Sequence, residues 1–142
     1  MVRVTRQYRF SASHRLHSPH LSEDGNWQVY GKCNNPYGHG HDYVAQVQVS
    51  GPVDEETGLA LPVEALDGLL ERHVLRAVAN ANLNDLPAFA EVVPTTEMLA
   101  VEIDRWLRTG WADVFPGEWP RLDGVRILET ERNVFETIGV RK

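Results

Sequence analysis

The chain is poor in several things, and each shortage excludes a class of function. It has one cysteine, Cys33, in 142 residues. No disulfide can form within it, and the expected setting is a reducing compartment, the cytoplasm. Lysine occurs only at Lys32 and Lys142, and the formal net charge is −6. The broad basic footprint of non-specific nucleic-acid binding is therefore missing, although a local basic spot for a small anion is compatible with that balance. No apolar run approaches the roughly 20 residues of a membrane span. The opening Met-Val-Arg-Val-Thr-Arg-Gln-Tyr places a charge every few residues and offers no apolar stretch of a signal peptide. Repeats and low-complexity segments are absent too. What remains is the size of one ordinary domain, 1–142, whose 42% hydrophobic content can fill a core. A small-molecule partner is expected, with no nucleic acid and no membrane.

The hydrophobic pattern gives the elements. Val2, Val4, Tyr8 and Phe10 alternate with Arg3, Thr5, Gln7 and Arg9, a period of two that predicts a half-buried strand running toward His14. Arg6 is the one lapse on its apolar side. Residues 17–38 are rich in Ser, Pro, Gly and Asn and read as a long loop. A second strand is predicted from His41 to Val49, with His41, Tyr43, Ala45, Val47 and Val49 on one face. Leu66, Leu69, Leu70, Val74, Ala77 and Val78 follow helical spacing after Pro62, and that helix should end near Asn80. A second helix starts after Pro94, with Thr95 as N-cap and Glu97 in its first turn. Its stripe is Leu99, Ile103, Trp106 and Leu107, and Gly110 is expected to end it. Residues 111–124 read as a loop, and Val125–Thr130 and Val134–Val140 as strands. Two strands, two helices and two strands imply an α+β fold, an antiparallel four-stranded sheet with both helices on one face. The polar face of its strands is expected to be covered by a neighbouring subunit.

Three histidines carry the chemistry. His39 and His41 stand two apart across Gly40, and residues at that spacing on a strand share a face, roughly 7 Å apart. His14 lies at the end of the first predicted strand. Three imidazoles with one open position suit a catalytic zinc, while iron, copper and nickel accept the same ligands. His17 and His20 are expected to be surface polar residues. Cys33 precedes His39 by six positions and reads as a base or nucleophile, with Lys32 and a metal lowering its pKa. A fourth metal ligand or an inert buried thiol are the other readings of Cys33. Glu129 on a predicted strand either faces solvent or, if turned inward, needs a partner such as the paired N–H donors of a guanidine-like heterocycle edge.

Phe10-Ser11-Ala12-Ser13-His14-Arg15-Leu16 and Tyr30-Gly31-Lys32-Cys33-Asn34-Asn35-Pro36-Tyr37-Gly38-His39-Gly40-His41-Asp42-Tyr43 resemble the 6-pyruvoyltetrahydropterin synthase family, which includes the 6-carboxytetrahydropterin synthases of queuosine biosynthesis. Thr95-Thr96-Glu97 and Leu128-Glu129-Thr130 resemble its later motifs. The five residues between Cys33 and His39 resemble the pyruvoyl type; the carboxy type typically has three. The resemblance implies a T-fold whose sheet closes into a barrel of three subunits, two trimers stacking into a homohexamer with sites at subunit interfaces. It implies Zn2+ on His14, His39 and His41, Cys33 as general base, and Glu129 as pterin anchor with Thr95, Thr96 and Glu97 nearby. The implied reaction is elimination of triphosphate from 7,8-dihydroneopterin triphosphate. Formation of 6-carboxytetrahydropterin, or pterin and zinc binding with lost or altered turnover, are the alternatives. Lys32 or Arg15 would meet the phosphates. The chain departs from the family where an Asp-His dyad is expected, since Ala79 and Asn80 stand there. His73 lies two helical turns earlier, about 10 Å by helix rise, too far to substitute directly. Asp85 or a loop histidine remain as candidates.

Overall fold

A computed structural model describes residues 1–139. Two long strands form its centre. β1 (Val2–His14) and β2 (His39–Gly51) pair antiparallel along their whole length, from Val2 opposite Gly51 to His14 opposite His39. This register puts the end of β1 beside the start of β2, so the sheet itself brings His14 to His39 and His41. β4 (Arg121–Leu128) pairs antiparallel with β2, with a bulge between Gln48 and Val49, and β5 (Val134–Glu136) pairs antiparallel with β4.

The sheet has five strands rather than the expected four, in the order β3-β1-β2-β4-β5. The addition is β3 (Ala81–Asn82), which runs parallel to β1 opposite Ala12 and Ser13. Asn80 turns the chain into it at φ 58° and donates its N–H to Ser11 O at 2.6 Å. Asparagine tolerates this left-handed conformation better than most residues.

Alternation decides which face is covered. Phe10, Ala12, Tyr43, Ala45, Val47, Val49, Val125 and Ile127 are buried, and they share the core with Leu66, Leu69, Leu70, Val74 and Val78 and with Leu99, Ile103 and Leu107 of the helices. The first of these helical segments is α2 (Val63–Leu70). It continues through a wide π-type turn (Glu71–Leu75) into α3 (Arg76–Val78), two residues short of the expected end at Asn80. α4 (Thr96–Val114) is the long helix, capped by Thr95, whose side chain accepts from Met98 N. It runs past Gly110, the expected stop. That glycine is buried because the His73 ring lies against it; a Cβ there would sit 2.6 Å from Nε2. Among the described residues, no helix is long and apolar enough to cross a membrane.

Arg6, the lapse in the apolar face of β1, is answered from α2. Its guanidinium donates to Asp67 through Nε at 3.0 Å and Nη2 at 2.8 Å, and the Tyr8 hydroxyl donates to the same carboxylate at 2.7 Å. The supposed loop 17–38 also contains structure. Ser22 caps α1 (Glu23–Tyr30), and a tight turn (Gly31–Asn34) follows. Asn26 is fully buried in α1; its amide donates to the Ser18, Leu21 and Ser22 carbonyls and accepts from Ser18 N. Of the last predicted strand, Val134–Glu136 is present, and Val140 lies outside the described residues.

Candidate metal centre and heterocycle pocket

The metal ligands come from the paired ends of β1 and β2. One ring nitrogen of each of His14, His39 and His41 lies within 4.8 Å of the others. The rings meet edge to face, with centroids 4.6–5.0 Å apart. His14 is 1% exposed, and its Nδ1–H donates to Pro94 O at 2.9 Å. That bond fixes the tautomer and leaves Nε2 as a bare lone pair, the usual arrangement behind a metal-binding imidazole. His14 Nε2 is buried without a hydrogen-bond partner. His41 Nε2 lies 2.9 Å from Glu129 Oε1, yet the oxygen is off the ring N–H direction, so this nitrogen also lacks a hydrogen bond.

Electrostatics favours the same role. Burial holds His14 and His39 below the ordinary histidine range, because protonation would place charge where water is excluded. Neutral imidazoles are the form a cation needs. Two orphaned buried nitrogens and a donor set of three imidazoles therefore fit a divalent metal.

Cys33 sits half-buried in the turn after α1, and its carbonyl accepts from Leu16 N at 2.8 Å. It is not part of the three-histidine group among the described residues, so the candidate ligand set is three imidazoles. Lys32 is exposed and does not lower the thiol as the sequence predicted. Burial raises the Cys33 pKa, and the negative charge of Glu129 raises it further.

Glu129 follows β4 and turns inward, its side chain 19% exposed. One oxygen faces His41; the other accepts from the Thr96 hydroxyl. This inward placement answers the choice left open by the sequence. Thr96 is itself 2% exposed, so it holds the carboxylate from behind. Thr95 is occupied as the cap of α4, and Glu97 is exposed in the first turn.

The remaining candidates are placed as follows. His17 is half-buried and accepts at Nδ1 from Asn34 Nδ2 at 3.0 Å, so it is tied to the Cys33 turn; His20 is exposed. Arg15 Nε donates to Asn34 O at 3.1 Å, and Asn84 clamps the Arg15 backbone through both N–H and C=O. Ala79, Asn80 and Asp85 are exposed, and His73 is packed on Gly110. Sequence reasoning missed Pro94, Asn34 and Tyr43. Asn34 and Tyr43 lie inside the quoted motifs, and Pro94 immediately precedes Thr95, but only the fold shows what they hold.

The family model described as 6-pyruvoyl tetrahydropterin synthase matches residues 3–139. The chain is 45% identical over 132 residues to a 6-pyruvoyl tetrahydrobiopterin synthase of Poecilia reticulata, covering 92% of this chain and 86% of that one. It is 40% identical to the enzyme of that name from Dictyostelium discoideum, over 93% of this chain and 92% of that one. The solved Caenorhabditis elegans 6-pyruvoyl tetrahydropterin synthase superposes with a TM-score of 0.88 at 36% identity, covering 97% and 95% of the two chains.

Proposed function

Because the chain belongs to the 6-pyruvoyl tetrahydropterin synthase family, we propose that it is a zinc-dependent pterin lyase that eliminates triphosphate from 7,8-dihydroneopterin triphosphate. The observation that carries this reading is the convergence of three metal-ready imidazoles with an inward carboxylate, 2.9 Å from His41, whose charge also reaches the thiol of Cys33. Names borne by relatives support the substrate class.

Each residue has a defined task. Glu129 accepts the paired N–H donors of the pterin's guanidine-like edge, and Thr96 holds the carboxylate in the orientation that accepts them. His14, His39 and His41 hold the metal, with His14 locked by Pro94. A divalent ion there supplies Lewis acidity to side-chain hydroxyls of the substrate. Cys33 Sγ, as thiolate, takes the proton from the adjacent C–H. The electron pair of that bond forms the new C=C bond, and the triphosphate leaves with the electrons of the broken C–O bond. A free thiol in this pocket is held protonated by burial and by Glu129. The neutral guanidine-like edge leaves the Glu129 charge in place, and a cation held by His14, His39 and His41 would offset it. Homohexameric assembly belongs to the same proposal, with copies of the chain covering the polar face of the sheet.

Incubation of the zinc-loaded protein with 7,8-dihydroneopterin triphosphate tests this. Stoichiometric release of triphosphate, lost in Cys33→Ala, is expected. Full turnover in that variant contradicts the assignment of the base. One observation favours a second reading, a pterin- and zinc-binding homologue without this turnover. Ala79 and Asn80 carry no acid–base group, and among the described residues burial and Glu129 both raise the Cys33 pKa. Under that reading pterin binds but no triphosphate appears, and Ala79→Asp with Asn80→His switches release on.

A further inference from the structure

Cys33 stands in the turn Gly31–Asn34, and that turn is tied to the stretch of chain that leaves the metal ligand His14. Each of the three residues after His14 is bonded to it. Arg15 Nε donates to Asn34 O at 3.1 Å, and Leu16 N donates to Cys33 O at 2.8 Å. The other ties come from the Asn34 side chain. An amide has two N–H donors. One is given to Leu16 O at 2.7 Å and the other to His17 Nδ1 at 3.0 Å. Both donors of Asn34 are therefore used on the same short stretch.

The return from Cys33 to the centre is pinned as well. Asn35 accepts from Tyr37 N at its side-chain oxygen, 3.1 Å away, and from Gly38 N at its carbonyl, 2.8 Å away. Gly38 has φ 70°, and a Cβ there would meet His14 O at 3.0 Å. The chain thus passes close over the His14 backbone before His39 pairs with His14. The spacer between Cys33 and His39 is a loop closed at both ends on residues 14–17. At the Cys33 end, the bonds accepted by the Cys33 and Asn34 carbonyls remain when the Asn34 side chain is cut back; the two from its amide do not. A general base works only within reach of the proton it takes, and a misplacement of about 1 Å can cost about 10²-fold in rate.

We propose that Asn34 is a positioning residue for the general base: its amide fixes where the Cys33 thiol stands relative to the His14 end of the metal centre, and it takes no part in holding metal or heterocycle. This rests on the lyase reading above. Asparagine suits the place because both partners there, Leu16 O and His17 Nδ1, are acceptors. Aspartate has the same size but no donor, and it would set a charged oxygen against Leu16 O. Alanine leaves both acceptors without a partner from the turn, which then hangs on its backbone bonds alone.

Zinc-loaded Asn34→Ala and Asn34→Asp are assayed for triphosphate release from 7,8-dihydroneopterin triphosphate. In both, kcat is expected to fall about 10²-fold, while KM and zinc content stay at the parent's values. A second readout needs no turnover. Iodoacetamide modification of metal-stripped protein, followed by intact mass, reports on Cys33 alone, the sole cysteine. In Asn34→Ala the loosened turn should speed that modification about fivefold or more, the population change that one ordinary hydrogen bond commands. His17→Ala removes one of the two acceptors and should move both readouts the same way by less, so an Asn34 variant that fails to fold leaves the test intact. Parent-like kcat or a parent-like modification rate in Asn34→Ala overturns the proposal, as do parent-like values of both in His17→Ala. A fall in kcat that comes with loss of zinc or a matching rise in KM also overturns it, since that marks a merely structural role. Parent protein that holds zinc and releases no triphosphate overturns the lyase reading, and this role for Asn34 with it.

Discussion

Replacing Glu129 by Gln separates two roles of one carboxylate. The amide keeps the size of the side chain, and its oxygen still accepts from Thr96, so packing is conserved while the charge is lost. Two consequences follow. Hydrogen bonds to a charged group are worth roughly 1.5–3 kcal/mol net, so pterin binding should weaken about 10- to 150-fold. The second consequence concerns Cys33, whose thiol Glu129 holds up by like-charge repulsion, second to burial. Removing that like charge favours the thiolate, so the thiol midpoint should move down. Since Cys33 is the sole cysteine, iodoacetamide modification followed by intact mass reports on this thiol alone. Metal-stripped protein, alkylated across pH 6–10, gives the midpoint directly. A midpoint in Glu129→Gln equal to or above the parent's refutes the electrostatic reasoning, even if pterin binding weakens as expected.

Three further outcomes follow from the same structure. Gly110→Ala gains up to about 1 kcal/mol of helix propensity but drives a Cβ into the His73 ring, an overpacking of about 1–3 kcal/mol. Urea unfolding should show a net loss in the parent and a net gain in a His73→Ala background. Metal-stripped protein should lose stability as pH falls below the unfolded histidine pKa of about 6.5, because the folded values of His14 and His39 are depressed and the unfolded chain binds more protons in that window; melting curves from pH 7.5 to 5 should show a shallower slope in His14→Asn. Sedimentation equilibrium should give six copies of the chain, and a monomer at micromolar concentration contradicts the proposed assembly.

Much of the site was legible because two local rules acted on it. Period-two alternation located β1 and β2, and the His-Gly-His spacing placed two imidazoles on one face. The antiparallel register then delivered His14, which no local rule supplies. What escaped depended on distant partners. Gly110 looks like a helix stop in isolation, but the residue that demands a glycine there, His73, belongs to another helical segment. Helix α1 reads as loop in the sequence because it carries no apolar stripe; Ser22 with Glu23 and Asp24 behind it is its one start signal. Two-residue β3 is too short to carry a period. The Cys33 thiol was expected to be acidic from its neighbour Lys32. Lys32 is exposed, and what acts on the thiol is burial and then Glu129, which arrives from the end of β4, the strand paired with β2.

The central claim is that three histidines from β1 and β2 hold one divalent ion and leave a position beside Cys33 for substrate. Elemental analysis of protein purified without chelator measures it most directly. One equivalent of zinc per chain in the parent, and almost none in His39→Ala, is the expected result. Parent protein that carries no metal and takes none up on titration, or a His39→Ala variant that retains a full equivalent, contradicts it.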